Sequence, residues 1–89
     1  MPDELTQKVV TIISEARHIP PEQIMLDSKF DDLGVDSLVA MGIIYDLESE
    51  YNIELPNEEV FTIRDVRGLI AVLRKVIAGE GADNAGAAA

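Results

Sequence analysis

Few side chains in this 89-residue sequence can do chemistry. Cysteine is absent, which removes thiol nucleophiles, disulfides and thiolate metal sites. His18 is the only histidine, so a multi-His metal site is excluded and one imidazole base remains. The reactive candidate is a serine, in Asp31-Asp32-Leu33-Gly34-Val35-Asp36-Ser37-Leu38. Ser37 stands among carboxylates where a loop pattern gives way to a helical one. Such a serine can be a nucleophile, a helix cap, or a hydroxyl that another enzyme modifies. The carboxylates around it could also hold a cation.

A nucleophilic serine needs a base within reach and a partner that orients the base. The only imidazole follows the first helix, and Gly34-Val35-Asp36-Ser37-Leu38 is not a Gly-x-Ser-x-Gly elbow. A hydrolase is therefore disfavoured and no catalytic residue is expected. Asp27, Asp31, Asp32 and Asp36 resemble a calcium loop, which needs Gly at its sixth position and Glu at its twelfth. Counting from Asp27 places Asp32 and Leu38 there; counting from Asp31 places Asp36 and Gly42. Neither register fits, and no specific metal site is expected. A capping serine is common, but capping does not explain a long loop leading to it or the one-signed surface after it. A phosphodiester at Ser37 would sit near a helix N-terminus, where N–H groups and the helix dipole favour negative charge.

The elements that must position Ser37 are helical. Asp3–Arg17 reads as the first helix, with Leu5, Val9, Ile12, Ile13 and Ala16 on one stripe. Pro20-Pro21 forbids its continuation. His18–Asp36 is a long connection anchored by Ile19, Ile24, Phe30 and Leu33, with one helical turn over Pro21–Ile24. Loops this long in small domains are usually functional or packed. Gly34 can take a positive φ and turn the chain. Ser37–Tyr51 is the second helix, with Asp36 or Ser37 as N-cap. Ala40, Ile43, Ile44, Leu47 and Tyr51 form its core stripe; Met41, Tyr45 and Glu48 run beside it. Asn52 is a stop, and Ile53 and Leu55 bury alternate positions before Pro56. Asn57 caps a short third helix through Val60. Asp65 caps the fourth, Val66–Ala78, with Val66, Leu69, Ile70, Leu73, Val76 and Ile77 inward; Gly79 ends it. No segment alternates as a strand. The expected fold is all-α, a small four-helix bundle of three long helices and a short third, with a long first loop. Residues 1–78 are expected to be the domain and 79–89, without a large apolar residue, a disordered tail.

Composition narrows the partners. The net charge is −10, which repels nucleic acid and anionic membranes and attracts basic protein surfaces. Nine acids and no Lys or Arg fall between Phe30 and Ile63. Aromatics are 4% against 47% hydrophobic residues, so the core is aliphatic. No apolar run approaches the roughly 20 residues of a membrane span. The opening Met-Pro-Asp-Glu lacks a basic signal-peptide n-region. A cytoplasmic monomer is the expectation.

The stretch Asp32-Leu33-Gly34-Val35-Asp36-Ser37-Leu38 closely resembles the prosthetic-group attachment motif of acyl carrier proteins. The resemblance runs from about Leu5 to Ile77. It includes Phe30 before the acidic pair, Leu47-Glu48 with Tyr51, Glu54-Leu55-Pro56-Asn57-Glu58-Glu59, Ile63, and Val66 opening the last helix. It implies that Ser37 is esterified by 4′-phosphopantetheine. A Mg²⁺-dependent phosphopantetheinyl transferase would take the group from coenzyme A, and acyl chains would then travel as thioesters. It also implies acyl-transferring, condensing and chain-modifying partners with basic docking surfaces. Docking would fall on Asp36, Leu38, Met41, Tyr45 and Glu48. Ala40, Ile44, Leu47, Tyr51, Ile63 and Leu69 would line an interior able to admit an acyl chain, although core packing explains them equally.

Carriers of fatty acid synthesis usually place acids where this sequence has Val39 and Gly42. A more apolar docking face suits a specialised, free-standing carrier of polyketide or unusual lipid synthesis. Two other readings stand beside it: an unmodified acidic adaptor binding a basic protein, and a peptidyl carrier. The latter commonly has Gly-Gly-His-Ser or a similar sequence at the site, where this chain has Val35-Asp36-Ser37.

Overall fold

The computed structural model describes residues 3–79, so most of the expected tail lies outside the described residues. Four helices follow in order: α1 (Glu4–Arg17), α2 (Ser37–Tyr51), α3 (Asn57–Val60) and α4 (Val66–Ile77). A single 3-10 turn, Pro21–Gln23, interrupts the first loop. The all-α bundle is as the sequence predicts, and no strand occurs among the described residues beyond one isolated bridge, Lys29 with Asp65.

The core is aliphatic. Ile13 of α1, Leu47 of α2, and Leu69 and Leu73 of α4 are almost completely shielded from solvent. Each such side chain contributes about 1.5–3 kcal/mol relative to exposure. Two expected core positions differ, and one unexpected position joins the core. Ala16 in the last turn of α1 is exposed. Ile77 is 44% exposed because α4 runs out just there, with Ala78 as its C-cap. Val72, outside the expected stripe, is buried instead.

Helix ends follow local chemistry. Asp3 precedes α1 and its Oδ1 accepts the Thr6 N–H at 2.9 Å. α1 stops at His18, whose left-handed backbone (φ 57°) directs its N–H to the Ser14 carbonyl, so termination precedes the two prolines. Asn52 ends α2 in the same conformation (φ 54°). Asn57 does not cap α3; it lies inside the helix and no side chain caps this turn. Instead the Pro56 carbonyl accepts the Glu59 and Val60 amides.

The long loop is held down by the start of α4. A helix leaves its first amides without intrahelical partners. Here the Val66 N–H donates to Ser28 O at 3.0 Å and the Arg67 N–H to Leu26 O at 2.9 Å. Asp65 Oδ1 takes the third, Gly68 N–H, at 2.8 Å. Phe30 N–H returns a bond to Arg64 O at 3.0 Å. The loop thus supplies what α4 lacks, and in exchange gains a fixed path toward Ser37. Buried Ile24 and Val35, with half-buried Ile19, Phe30 and Leu33, pin it to the core.

Candidate functional site

The loop delivers Ser37 in three steps. Leu33 N–H, Gly34 N–H and Val35 N–H turn back on Lys29, Phe30 and Asp31 carbonyls. Gly34 makes the reversal at φ 76°, a region that side chains resist. Asp36 is then extended and Oδ1 of its carboxylate accepts the Val39 N–H at 2.9 Å. Asp36, not Ser37, is the cap. Ser37 occupies the first helical position, exposed, and its hydroxyl has no hydrogen-bond partner among the described residues.

A groove of about 510 Å³ adjoins Ser37. It is lined by Lys29, Phe30, Asp31, Val35 and Asp36 of the loop and by Ser37, Ala40 and Met41 of α2. Val60, Phe61, Ile63 and Arg64 complete the lining. Behind it lies an apolar recess of about 50 Å³ lined by Phe30, Val35, Ala40, Ile43, Ile44, Val60, Ile63 and Leu69. That volume holds no more than a few water-sized groups. Phe30, Val35, Ala40, Val60 and Ile63 line both spaces, so the recess opens from the wall of the groove. A larger depression, between α1 and Pro21–Leu26, lies away from Ser37.

Four of the six expected pocket residues, Ala40, Ile44, Ile63 and Leu69, line the recess. Leu47 does not, because it is wholly enclosed in the core. Tyr51 does not either; it faces Glu4, Lys8 and Glu50 on another side, where burial pushes its hydroxyl pKa up. Among the expected docking residues, Leu38, Met41 and Tyr45 are 82%, 46% and 63% exposed. Glu48 departs from them. It is half-buried and its Oε2 accepts the Leu55 N–H at 2.8 Å, which fastens the turn after α2. Val39 is half-buried against the core, whereas Gly42 faces open space.

Four groove residues escaped the sequence reading: Lys29, Val60, Phe61 and Arg64. Phe61 is 80% exposed beside the groove. An aromatic just past a short helix, and the first cation after a long acidic run, were the available signals. His18 does not line the groove. No three His, Asp or Glu side chains are placed to hold a metal among the described residues.

Ser37 thus offers an exposed, unbonded hydroxyl at a helix start, beside a groove whose lining includes no imidazole. The residues fit a phosphate-linked arm: the hydroxyl is free, the groove continues from it, and cations and apolar side chains share its walls. Similarity to known proteins identifies the family. The phosphopantetheine attachment site family matches residues 7–73. An acyl carrier protein of Rickettsia bellii is 34% identical over 74 residues, covering 82% of this chain and 86% of that protein. The non-reducing polyketide synthase dbaI of Emericella nidulans is 35% identical over 82 residues, covering 92% of this chain but 3% of the synthase. The crystal structure of an acyl carrier protein from Thermotoga maritima superposes with a TM-score of 0.75 at 29% identity, covering 84% of this chain and 88% of that one.

The chain belongs to the acyl carrier protein family. Its prosthetic group is covalent 4′-phosphopantetheine. It is a carrier that acyl-transferring and synthase enzymes act upon, not itself a catalyst.

Proposed function

We propose that Ser37 is the attachment point and that the domain serves polyketide or specialised lipid synthesis. One observation carries the first part: Asp36 performs the capping, which leaves the Ser37 hydroxyl exposed and unbonded. In the loading reaction Ser37 Oγ attacks the β-phosphorus of coenzyme A. The new phosphoester forms as the pyrophosphate link to the nucleotide breaks, and the hydroxyl proton passes to a base of the transferase. The arm supplies a thiol that holds acyl groups as thioesters. The groove is the path along which arm and cargo lie, with the recess as its apolar end.

Leu38, Met41 and Tyr45 form the docking face, with Asp36 at its edge. The support is their joint exposure on α2 and the absence of basic residues from Phe30 to Ile63. Glu48 is better assigned to structure than to docking, since its carboxylate holds Leu55. The pathway rests on the neutral Gly42 and on similarity to segments of polyketide synthases. The transferase, a cytoplasmic location and a monomeric state belong to the same reading. Its support is the charge of −10; in addition, no helix among the described residues is long and apolar enough to cross a membrane.

The test is intact mass after incubation with coenzyme A and a broad-specificity transferase. Wild-type protein gains about 340 Da, the size of the added group, and Ser37→Ala gains nothing. No gain with several transferases would leave the unmodified adaptor as the better reading. Efficient use by the housekeeping malonyl transferase and condensing enzymes of fatty acid synthesis would count against the specialised pathway.

A further inference from the structure

The sequence holds seven basic residues against seventeen acids. Four make ion pairs: Lys8 with Glu50, Arg67 with Asp27, Arg74 with Asp3 and Lys75 with Glu59. Arg17 donates through Nε to the Leu33 carbonyl. Only Lys29 and Arg64 remain with no side-chain partner among the described residues, and both line the groove beside Ser37. Asp31 and Asp36 line it too, yet neither is paired with them. In so acidic a chain, two cations left over in one place ask for an anion.

The backbone holds the two together. Lys29 bridges Asp65, and the Phe30 N–H donates to Arg64 O at 3.0 Å. The Val35 N–H then donates to Phe30 O at 2.9 Å, two residues before Ser37. We propose that Lys29 and Arg64 hold the phosphodiester of an arm carried on Ser37. This rests on the attachment reading above. A phosphodiester adds one full negative charge beside Asp36 and Asp31, where like charges repel it. A guanidinium can grip its two free oxygens together, and an ammonium adds a point charge. The phosphorus is bonded to the serine oxygen, so this anion is delivered to the groove whatever cargo follows. A carboxylate on the cargo would lie at the far end of the arm.

The experiment uses the full ¹⁵N-labelled chain, unloaded and loaded, with intact mass reporting attachment independently. The ³¹P resonance and the Arg64 Nε–Hε signal are read for wild type, Arg64→Lys and a Lys29→Gln/Arg64→Gln double variant. Both side chains are exposed, so the variants keep the fold. On loading, the wild-type Arg64 signal shifts, and its ³¹P resonance stands apart from that of the loaded double variant. That separation falls by more than half on raising NaCl from 0.02 to about 0.5 M, as screening shortens the reach of charge. Arg64→Lys keeps part of it. Loading by mass with identical ³¹P resonances and a stationary Arg64 signal overturns the clamp and spares the attachment reading. Movement of Arg64 only with a carboxylate-bearing cargo also overturns it, in favour of a cargo site. No mass gain overturns both.

Discussion

The guanidinium of Arg17 occupies the space that a side chain on Gly34 would need. A Cβ on Gly34 would come within 2.9 Å of Arg17 Nη2, while Arg17 Nε donates to the neighbouring Leu33 carbonyl at 3.3 Å. The end of α1 thereby braces the turn that hands the chain to Ser37. Gly34→Ala meets two penalties there. The flexible Arg17 tip can move aside at small cost, but the positive φ costs about 1–2 kcal/mol. Urea unfolding should show a loss of that order. Arg17→Ala in the Gly34→Ala background should recover only the smaller steric part. Full recovery would mean that crowding, not backbone conformation, explains the glycine.

The Glu48 contact predicts a different signature. Leu55 is 4% exposed, and its N–H depends on Glu48 Oε2. Glu48→Ala leaves a poorly solvated amide without its acceptor and should cost about 1.5–3 kcal/mol in chemical denaturation. Glu48→Gln keeps an acceptor and should cost less than half as much. If instead both variants retain wild-type stability and both lose partner binding equally, Glu48 belongs to the docking face after all.

Glu48 and Ser37 also show what could be read beforehand. Helical periodicity revealed all three long helices because each buries a continuous apolar stripe. The Asp65 cap, the stop at Gly79 and the turn at Gly34 were legible because side-chain acceptors and positive φ have few local solutions. The exceptions depend on distant partners. Glu48 shares a helical face with Met41 and Tyr45, and nothing in that spacing says its carboxylate turns toward Leu55. Two caps were compatible with the start of α2, and only the Val39 amide chooses Asp36. Leu47 and Tyr51 matched a pocket stripe because core and pocket impose the same periodicity. Lys29 and Arg64 meet through backbone pairing across more than thirty residues, which no local pattern encodes.

Acid should act late at the start of α1. The Thr6 amide and hydroxyl, with Arg74 alongside, hold the Asp3 carboxyl below the usual carboxylate range, at about 2 against 3.8. A carboxyl whose pKa is lowered by folding binds its proton more readily in the unfolded chain. Its stabilising effect is complete above about pH 4 and is lost as pH falls through about 2. The Thr6 amide resonance should therefore titrate near pH 2 in wild type. Asp3→Asn should abolish that step while keeping a cap. A Thr6 midpoint near 4 would show that neither the cap nor the Arg74 pair persists in solution.

Gly42 offers the test of which enzymes the docking face suits. Nothing lies within 4 Å of where its side chain would begin, and it sits in the interior of α2. A glycine there costs about 0.5–1 kcal/mol relative to better helix formers. Gly42→Glu should therefore stabilise the domain by a few tenths to about 1 kcal/mol. It also adds a carboxylate to α2 near exposed Met41 and Tyr45. Basic enzyme surfaces should associate faster with the variant at low salt, and the gain should vanish at high salt. If the neutral face selects a restricted set of enzymes, Gly42→Glu gains turnover with fatty acid synthesis enzymes and gains none with its own partners. Equal gains with both, at raised stability, would show that Gly42 affects the helix alone. The pathway would then have to be argued without it.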